Sequence, residues 1–420
     1  MGGSAPFRLG LRENAAQFSL LVAVTAFVGA MVGLERSTLP LIGEQEFGVG
    51  SSTAVLSFIV AFGLAKSFTN LGAGALAERV GRHRLLVLGW AFALPVPVMI
   101  AVAPGWGWVV AANLFLGINQ GLAWSMTVVM KIDLVGPERR GLALGLNESA
   151  GYGGVAVAAA LSGWLAADFA ARDVLVVAAA GVALLALLAS ALFVRDTTDY
   201  VELEQRQSRH ESDERAPTLR ETFPSASYRE PPLRACSQAG LVNNLNDALA
   251  WGVVPLYLAA GGATDAEIGL VAGLYPAVWG VGQIGTGHWS DRVGRKPLIV
   301  GGMLIQAAAL ALLTASDASV PAAAATAVVL GAGTALVYPT LIAAISDAVS
   351  PVARAATVGV YRFWRDMGYV TGGLLTGVLA DAIDLSATIS IVAGITAASG
   401  LWVAVDMPRQ SVDAAADMAA

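Results

Sequence analysis

The sequence predicts an all-α membrane protein whose twelve transmembrane helices form two similar halves of six helices each. The first observation is composition: 56% of the 420 residues are hydrophobic and only 13% are charged, whereas soluble domains average about 25% charged residues. The second is that the charges are clustered, which leaves uncharged runs of ~20 residues, long enough to cross a bilayer. The third is that short motifs of the first half recur in the second half at nearly constant spacing.

Runs with little or no charge define the predicted helices, numbered 1 to 12 in chain order. Their approximate limits are 17–41, 52–76, 85–103, 109–131, 141–165, 174–194, 237–259, 266–289, 298–315, 321–345, 356–379 and 386–405. The first run is too long for a cleavable signal peptide and continues into polar membrane residues. The segment between helices 6 and 7 is rich in charged residues and prolines. We therefore predict an N-terminal bundle at 1–194, a cytoplasmic linker at 195–236 and a C-terminal bundle at 237–420.

The distribution of basic residues fixes the predicted orientation in the membrane. Of the 25 lysines and arginines, 20 lie in the N-terminus, the even-to-odd connections, the linker and the C-terminus, including Lys131 at the end of helix 4. Only Arg172 lies in an odd-to-even connection, and these connections carry acidic residues instead. Because short loops rich in Lys and Arg stay on the cytoplasmic side, both termini are predicted to be cytoplasmic.

Two motifs are duplicated, each after matching helices of the two halves. The loop motif G-x-x-x-[D/E]-R-x-G-R follows helices 2 and 8, and its copies are 213 residues apart. Its residues are Gly74, Glu78, Arg79, Gly81 and Arg82 in the first copy and Gly287, Asp291, Arg292, Gly294 and Arg295 in the second. A pattern that repeats at 214 residues consists of Asp133 and Arg140 after helix 4 and of Asp347 and Arg354 after helix 10. These matching spacings indicate a duplicated six-helix unit.

Polar or large aromatic residues recur at helical spacing in predicted helices 1, 2, 4, 5, 7, 8, 10 and 11. Helices 3, 6, 9 and 12 contain no charge and almost no polarity, with Gln306 as the exception. A helix with a polar stripe must face protein or water, whereas an apolar helix tolerates lipid all round. We therefore expect every third helix to be peripheral and the other eight to line an interior.

With this repeat and the doubled loop motif, the chain resembles the major facilitator superfamily over essentially its whole length. The resemblance implies two six-helix bundles around a central cavity, which opens to each side of the membrane in turn as the bundles rock. It also implies a small-molecule substrate, no cofactor, and a monomer surrounded by lipid in the plasma membrane. The excess of arginine over lysine, 22 to 3, together with abundant alanine, glycine and valine predicts a prokaryotic cell. Within the superfamily the chain is most similar to proton-driven efflux permeases. Their R-x-x-Q-G motif in helix 4 is present as Gln120 and Gly121 without the arginine.

The loop motifs have a mechanical interpretation. Their glycines allow helix and loop backbones to approach closely, and the carboxylates of Glu78 and Asp291 can reach a helix N-terminus or an arginine. Arg140 and Arg354, each just past a helix end, are the candidate partners. We predict cytoplasmic clasps that stabilise the outward-open state and break when the cavity opens inward. The alternative is that these residues only set the topology and pack.

Eight charged residues lie inside the predicted helices, each at a cost of ~2.5–3.5 kcal/mol on the mild insertion scale. They are the acids Glu35, Glu148, Asp247 and Asp366 and the bases Arg36, Lys66, Arg362 and Arg365. One interpretation is mutual neutralisation, with Arg362 and Asp366 as one ready pair and Glu35 and Lys66 as another. The other is proton coupling, in which an acid exchanges a proton as its surroundings change between cavity states. Asp247 is the first candidate, because its own helix offers no basic neighbour, and Glu148 is the second.

The basic residues and the aromatic stripes predict a substrate cavity. An arginine can grip a carboxylate, phosphate or sulfate through two hydrogen bonds, and aromatic rings supply a flat apolar wall. The predicted cavity residues are Arg36, Lys66, Gln120, Trp124, Asn243, Trp251, Tyr275, Trp279, Tyr338, Arg362 and Arg365. Most of the aromatic residues are expected to serve packing, with two or three in contact with substrate.

The sequence thus favours a secondary active transporter that exports a small organic solute in exchange for protons. Proton-coupled uptake of an organic anion is the alternative within transport. A non-transporting membrane sensor or assembly factor on the same fold is the alternative of another class. An enzyme is not expected, because no nucleophile–base pair is visible. One cysteine, three histidines and a net charge of −6 predict neither a metal site nor nucleic-acid binding.

Overall fold

Every described element of the computed structural model is a helix, and the described residues are 8–135, 140–200, 203, 218–316, 319–349 and 351–408. The long helices are α1 (Ala15–Gln45), α2 (Ser57–Val80), α3 (Arg82–Ala93, continued as Pro95–Ala101), α4 (Trp106–Val135), α5 (Arg140–Leu165), α6 (Ala171–Phe193), α7 (Pro231–Ala248, continued through the π-helical turn Leu249–Val253 into Val254–Ala260), α8 (Asp265–Val293), α9 (Arg295–Thr314), α10 (Val320–Ala348), α11 (Pro351–Ala382) and α12 (Leu385–Asp406). They overlap the predicted runs in chain order. Short turns at Ser52–Val55, Leu219–Pro224 and Ser225–Arg229 precede α2 and α7.

Within the described residues, eight helices are long and apolar enough to cross a membrane. They are α1, α2, α3, α6, α8, α9, α10 and α12. The other long helices carry dense sets of buried polar side chains, such as Asn119 and Gln120 in α4 and three asparagines around Asp247 in α7. Polar residues lower the mean hydropathy of a helix, and they require protein or water on that face.

The two copies of the loop motif form the same turn. Gly81 joins α2 to α3 with φ 92° and ψ 148°, and Gly294 joins α8 to α9 with φ 91° and ψ 158°. This backbone conformation is essentially restricted to glycine, which explains the glycine in both copies. We call the end of the bundle with these two glycines the motif end. The other end, with Leu165 and Asp265, is called the opposite end.

The same helix pairings occur in both halves of the chain. In the first half α1 packs on α5 and α6, α2 packs on α4, and α3 packs on α4. In the second half α7 packs on α11 and α12, α8 packs on α10, and α9 packs on α10. Each of these pairings recurs six helices later, as expected for a duplicated unit.

The halves meet along two helix pairs, α5 with α8 and α2 with α11, which a twofold rotation would exchange. At the opposite end a Cβ built on Gly163 of α5 would lie 2.6 Å from the Cα of Gly269 in α8. A Cβ on Gly377 of α11 would lie 2.6 Å from the Cα of Thr53. Nearer the middle, Phe68 of α2 contacts a phenylalanine of α11 with ring centroids 5.5 Å apart. Close contacts between the halves therefore run from the opposite end past the middle of these helices.

The described part of the predicted linker docks on the motif end. Thr197 donates a hydrogen bond to Asp133 of α4 at 2.6 Å, and Tyr200 donates to Asn14 at 2.8 Å. Further along, Trp364 of α11 donates to Ser227 at 2.8 Å. Residues 201–202 and 204–217 of the predicted linker lie outside the described residues.

Candidate substrate and proton site

Asp366 of α11 is the centre of a buried ion cluster where the two halves meet. Its carboxylate lies 2.7 Å from Nη2 of Arg365 and 3.9 Å from Nζ of Lys66 in α2. Asn70 of α2 and Asn244 of α7 also donate hydrogen bonds to it. Because a buried carboxylate needs both cations and hydrogen-bond donors, this cluster satisfies Asp366 and ties the first half to the second.

Lys66 also lies among aromatic rings. Its Nζ is 5.4 Å from the ring centroid of Phe62, 5.6 Å from that of Trp124 and 5.3 Å from that of Tyr369. These distances are within the range of cation–π attraction. The ammonium is therefore held by rings of α2, α4 and α11 as well as by a carboxylate.

Neutralisation of the buried charges uses partners other than the pairs that the sequence suggested. Among the described ion pairs, Lys66 binds Asp366 and not Glu35. Asp366 binds its chain neighbour Arg365 and not Arg362. The side chain of Arg365 donates hydrogen bonds to Asp366 and to Tyr338 of α10, so Arg365 takes the role at Asp366 that the sequence suggested for Arg362.

Asp247 of α7 is fully buried and has hydroxyl partners. Tyr275 of α8 donates to one carboxylate oxygen and Tyr369 of α11 to the other, the latter at 3.3 Å. Trp251 stacks on the Tyr369 ring with centroids 6.2 Å apart. None of the ion pairs in the described part of the chain includes Asp247. Protonation of this acid would therefore break no ion pair.

Glu35 and Arg36 form a second buried charged site on the opposite-end half of α1, with exposed fractions of 1% and 0%. The guanidinium of Arg36 lies 5.0 Å from the ring centroid of Phe58 and 4.4 Å from that of Phe62. None of its three nitrogens has a hydrogen-bond partner among the described residues. A buried charge without hydrogen bonds is costly, so the adjacent Glu35 and the two rings are what balance this guanidinium.

Glu148 of α5 belongs to a buried polar network. Nε1 of Trp124 and Nδ2 of Asn147 donate to its Oε1 at 3.1 and 3.0 Å. Thr25 of α1 donates to Asn147 at 3.3 Å, and Lys131 donates to Thr25 at 2.6 Å. Lys131, the last residue of predicted helix 4, is fully buried, and α4 continues beyond it to Val135.

Aromatic side chains of both halves stack between these charged groups. Tyr152 of α5 stacks on Trp279 of α8 with ring centroids 3.6 Å apart. Tyr338 makes an edge contact with Trp279 at 5.1 Å, and Trp124 makes a tilted contact with Tyr152 at 5.4 Å. Tyr152, which was not among the predicted cavity residues, is therefore at the centre of the contact between the halves.

Two of the predicted cavity residues are bound within their own half. Gln120 of α4 donates to the carbonyl of Val28 in α1 at 2.9 Å. Asn243 of α7 accepts from Gln306 of α9 at 3.1 Å, and Asn246 donates to the same Gln306 side chain at 2.9 Å. This explains the exceptional polar residue of predicted helix 9, because Gln306 gives a hydrogen-bond partner to each of two buried asparagines.

The motif end carries a matching ion pair in each half. Nε of Arg82 lies 2.7 Å from Oδ2 of Asp133, and Nε of Arg295 lies 2.9 Å from Oδ2 of Asp347. The last arginine of each loop motif thus binds an aspartate of its own half, whereas the clasp hypothesis used Glu78 and Asp291. Arg79 and Arg292 are exposed.

The other residues of the predicted clasps are Gly74, Glu78, Arg140, Gly287, Asp291 and Arg354, and they lie outside the described side chains. The expected clasp therefore stays a prediction. As for metals, the described residues include no cluster of histidine, cysteine and acidic side chains that could hold an ion.

Known proteins with a similar sequence or fold are membrane transporters. The sequence profile of the Major Facilitator Superfamily matches residues 16–233 and 237–418. A segment of 60 residues is 47% identical to the inner membrane transport protein YajR of Escherichia coli (strain K12), and the match covers 14% of this chain and 13% of that protein.

Two solved structures have a similar fold. One is a POT family transporter in complex with a thioalcohol-conjugated peptide, with a TM-score of 0.74 and 13% identity over 92% of this chain and 95% of that one. The other is the nucleoside transporter NupG, with a TM-score of 0.71 and 13% identity over 93% of this chain and 100% of that one. At this level of identity the likeness shows the fold alone.

Proposed function

Because the chain belongs to the major facilitator superfamily, and is thus a multi-pass membrane transporter and not an enzyme, we propose that it exports a small organic solute in exchange for protons. In this proposal all the long helices α1 to α12 cross the plasma membrane of a prokaryotic cell, with both termini in the cytoplasm. The bundles 1–194 and 237–420, joined by the linker 195–236, rock against each other. The basic motif end is then cytoplasmic, and packing of the halves at the opposite end corresponds to an inward-facing state.

The partners of Asp247 are the observation that carries the proton coupling. Among the four acids predicted inside the helices, Asp366 is held by two cations, whereas the hydrogen-bond partners of Asp247 in the described part of the chain are tyrosine hydroxyls. Desolvation penalises a carboxylate in its charged form, and protonation of Asp247 would break none of the described ion pairs. We therefore assign the transported proton to Asp247, with Glu148 as the second candidate.

Rocking would change the surroundings of Asp247. Its tyrosine partners lie on α8 and α11, the two helices of the second half that pack on the first half. Separation of the halves at the opposite end would open this packing and admit water to the carboxylate. A proton taken up from outside would then allow the halves to close over a neutral side chain, as exchange transport requires.

Proton release on ligand binding tests this function. Purified protein in weakly buffered detergent is mixed with a library of organic compounds, and the pH change is compared between wild type, Asp247→Asn and the control Asp173→Asn, an exposed residue of α6. We expect release with wild type and the control and none with Asp247→Asn. Binding without a pH change in wild type would contradict proton coupling and favour facilitated diffusion or another ion.

Uptake of an organic anion is the second candidate, because Arg36 and Arg362 have buried nitrogens without hydrogen-bond partners in the described part of the chain. An anion that enters the cavity could supply them. The variants Lys66→Ala and Arg362→Ala test this in proteoliposomes. If both variants retain transport of every anion that wild type carries, the buried bases do not select anions and this candidate fails.

A further inference from the structure

Two oppositely charged side chains beside the aromatic stack each have a buried atom without a hydrogen-bond partner. Glu148 is 8% exposed, and its Oε1 accepts two hydrogen bonds whereas its Oε2 accepts none. Nε of Arg362 is buried and has no partner among the described residues. Because buried polar atoms are almost always hydrogen-bonded, both atoms indicate a place for a further polar partner.

Glu148 and Arg362 are both linked to the ring cluster that includes Tyr338. Trp124 donates to Glu148 and contacts Tyr152 with ring centroids 5.4 Å apart, and the Tyr152 ring lies 6.0 Å from that of Tyr338. Arg362 lies one helical turn before Arg365, whose guanidinium binds the Tyr338 hydroxyl. Arg365 is already committed, since it donates to Asp366 and to Tyr338 itself. Glu148 and Arg362 therefore remain as one acid and one base that can bind a ligand, and they come from different halves of the protein.

A cluster of aromatic rings adjoins these two charges. Trp124, Tyr152, Trp279 and Tyr338 contact one another in series, and Trp124 also donates to Glu148. The side chain of Arg362 is only partly buried, one turn nearer the motif end than Asp366. A ligand that enters from the motif end would thus meet Arg362 before it reaches the depth of Asp366.

We propose that this cluster is the solute site and that the solute is an amphoteric aromatic compound. Its cationic group binds Oε2 of Glu148, its anionic group binds Arg362, and its ring packs on Trp124 and Tyr338. This rests on the proposed function and names the class of its organic solute. A molecule with a single charge would leave either the acid or the base unpaired, at the cost of a buried unsatisfied group. Because the bound solute bridges both halves, its binding alters the balance between the two states.

Calorimetric binding of matched aromatic compounds to the purified full chain tests the class. Indole, phenyl and phenol rings are each offered with both an amine and a carboxylate, with the amine alone and with the carboxylate alone. We expect the compounds with both charges to bind about tenfold tighter than either single-charge class, the effect of one charged hydrogen bond. Equal affinity in all three classes, or binding in none, would overturn the proposal.

Charge-selective losses in two variants distinguish direct contact from a structural role. Glu148→Gln should weaken the amphoteric and amine classes and spare the carboxylates, whereas Arg362→Gln should weaken the amphoteric and carboxylate classes and spare the amines. The exposed residues Glu44 and Arg220 provide the matched controls Glu44→Gln and Arg220→Gln. An equal loss in every class in both variants would overturn the assignment.

The experiments can reject the amphoteric solute site and the proton-coupled export independently of each other. Ligand-triggered proton release by a solute of another charge class would reject the amphoteric assignment and leave proton-coupled export intact. Selective binding of amphoteric compounds without proton release would support the site and reject the coupling.

Discussion

Asp247 and Asp366 are both fully buried at the junction of the halves, yet their partners differ in kind. Asp366 is surrounded by two cations and two amides, and Asp247 by two tyrosine hydroxyls. Loss of a carboxylate from a cation cluster leaves buried charge uncompensated, which costs far more than the loss of a hydroxyl contact. We therefore expect Asp366 to hold the halves in place and Asp247 to be the acid that can change its charge.

The ion cluster predicts that replacement of Asp366 destabilises the protein more than replacement of Lys66. Asp366→Asn leaves Lys66 and Arg365 uncompensated, so its stability should fall by about 3–5 kcal/mol. Lys66→Met should cost less, because Arg365 still neutralises Asp366 at 2.7 Å. The double variant should be more stable than Asp366→Asn alone, since one of the two uncompensated cations is gone. Thermal unfolding in detergent measures all three, and equal losses for the two single variants would contradict this account.

At the residue scale the sequence predicts which charges lie inside the helices and leaves their partners open. The composition of each run revealed the buried acids and bases. The choice between Arg362 and Arg365 as the partner of Asp366 depends on side-chain direction and on the position of Tyr338, which spacing along α11 does not encode. The sequence likewise indicated no partner for Lys131, whose ammonium donates to Thr25 of α1 in the structure.

At the scale of helices, glycines determine how closely the two halves approach. Gly163 of α5 and Gly269 of α8 face each other, and a Cβ on either would lie 2.6 Å from the other Cα. Real Cβ atoms do not occupy such positions without displacement of the backbone. The packing of α5 on α8 at the opposite end therefore requires small residues at both positions.

Gly163→Val should favour separation of the halves at the opposite end. The control is Gly181→Val on α6, where a Cβ has no atom within 4 Å, so both variants share the same change in helix propensity. Spin labels on Phe169→Cys and Ala260→Cys, two exposed positions at this end in different halves, report the distance, and the single native cysteine, Cys236, is buried. We expect a longer label distance for Gly163→Val only. An unchanged label distance would show that the contact between Gly163 and Gly269 does not control the separation of α5 and α8.

At the scale of helices, the periodicity of the sequence predicted which helices are polar on one face. The duplicated loop motif marked the connections after α2 and α8, but the positive φ of Gly81 and Gly294, which only glycine suits, is seen only in the structure. Which helix faces which neighbour was not predictable, since a stripe indicates that a face is covered and not what covers it. Gln306 is the example: its apolar helix suggested the periphery, and only the structure shows the asparagines of α7 that it binds.

At the scale of the whole molecule, the duplicated unit gives the two halves contacts that match each other by symmetry. The pairs α5 with α8 and α2 with α11 are exchanged by the same rotation that relates the halves. The motif-end ion pairs, Arg82 with Asp133 and Arg295 with Asp347, are a second matched set. Each half thus carries its own ion pair at the motif end, while the opposite end is joined by contacts between the halves.

A carboxylate of the second half joins the halves at the opposite end. Asp381, at the end of α11, accepts hydrogen bonds from the hydroxyl of Ser51 at 2.6 Å and from the backbone N–H groups of Ser52 at 2.5 Å and Thr53 at 2.9 Å. It thus caps the chain that enters α2. Burial alone raises the pKa of Asp381, but the hydrogen bonds from Ser51, Thr53 and Ser52 lower it by more, so the pKa lies well below the usual value of an aspartate.

Asp381→Asn should loosen this end of the molecule to the same extent at every pH between about 5 and 8. A carboxylate with a lowered pKa contributes stability that is fully present above its ordinary pKa, ~3.9, and is lost only as the pH falls through the lower value. Between about pH 5 and pH 8 the wild-type cap is therefore constant. Loss of a cap costs about 1 kcal/mol, or about fivefold in the ratio of open to closed forms, and the labels at positions 169 and 260 measure that ratio. If the label distance changes with pH and still does so in Asp381→Asn, the change is due to another acid, and Asp247 is the first to replace. If the ratio of open to closed forms is the same in Asp381→Asn as in wild type, this cap does not hold the halves together.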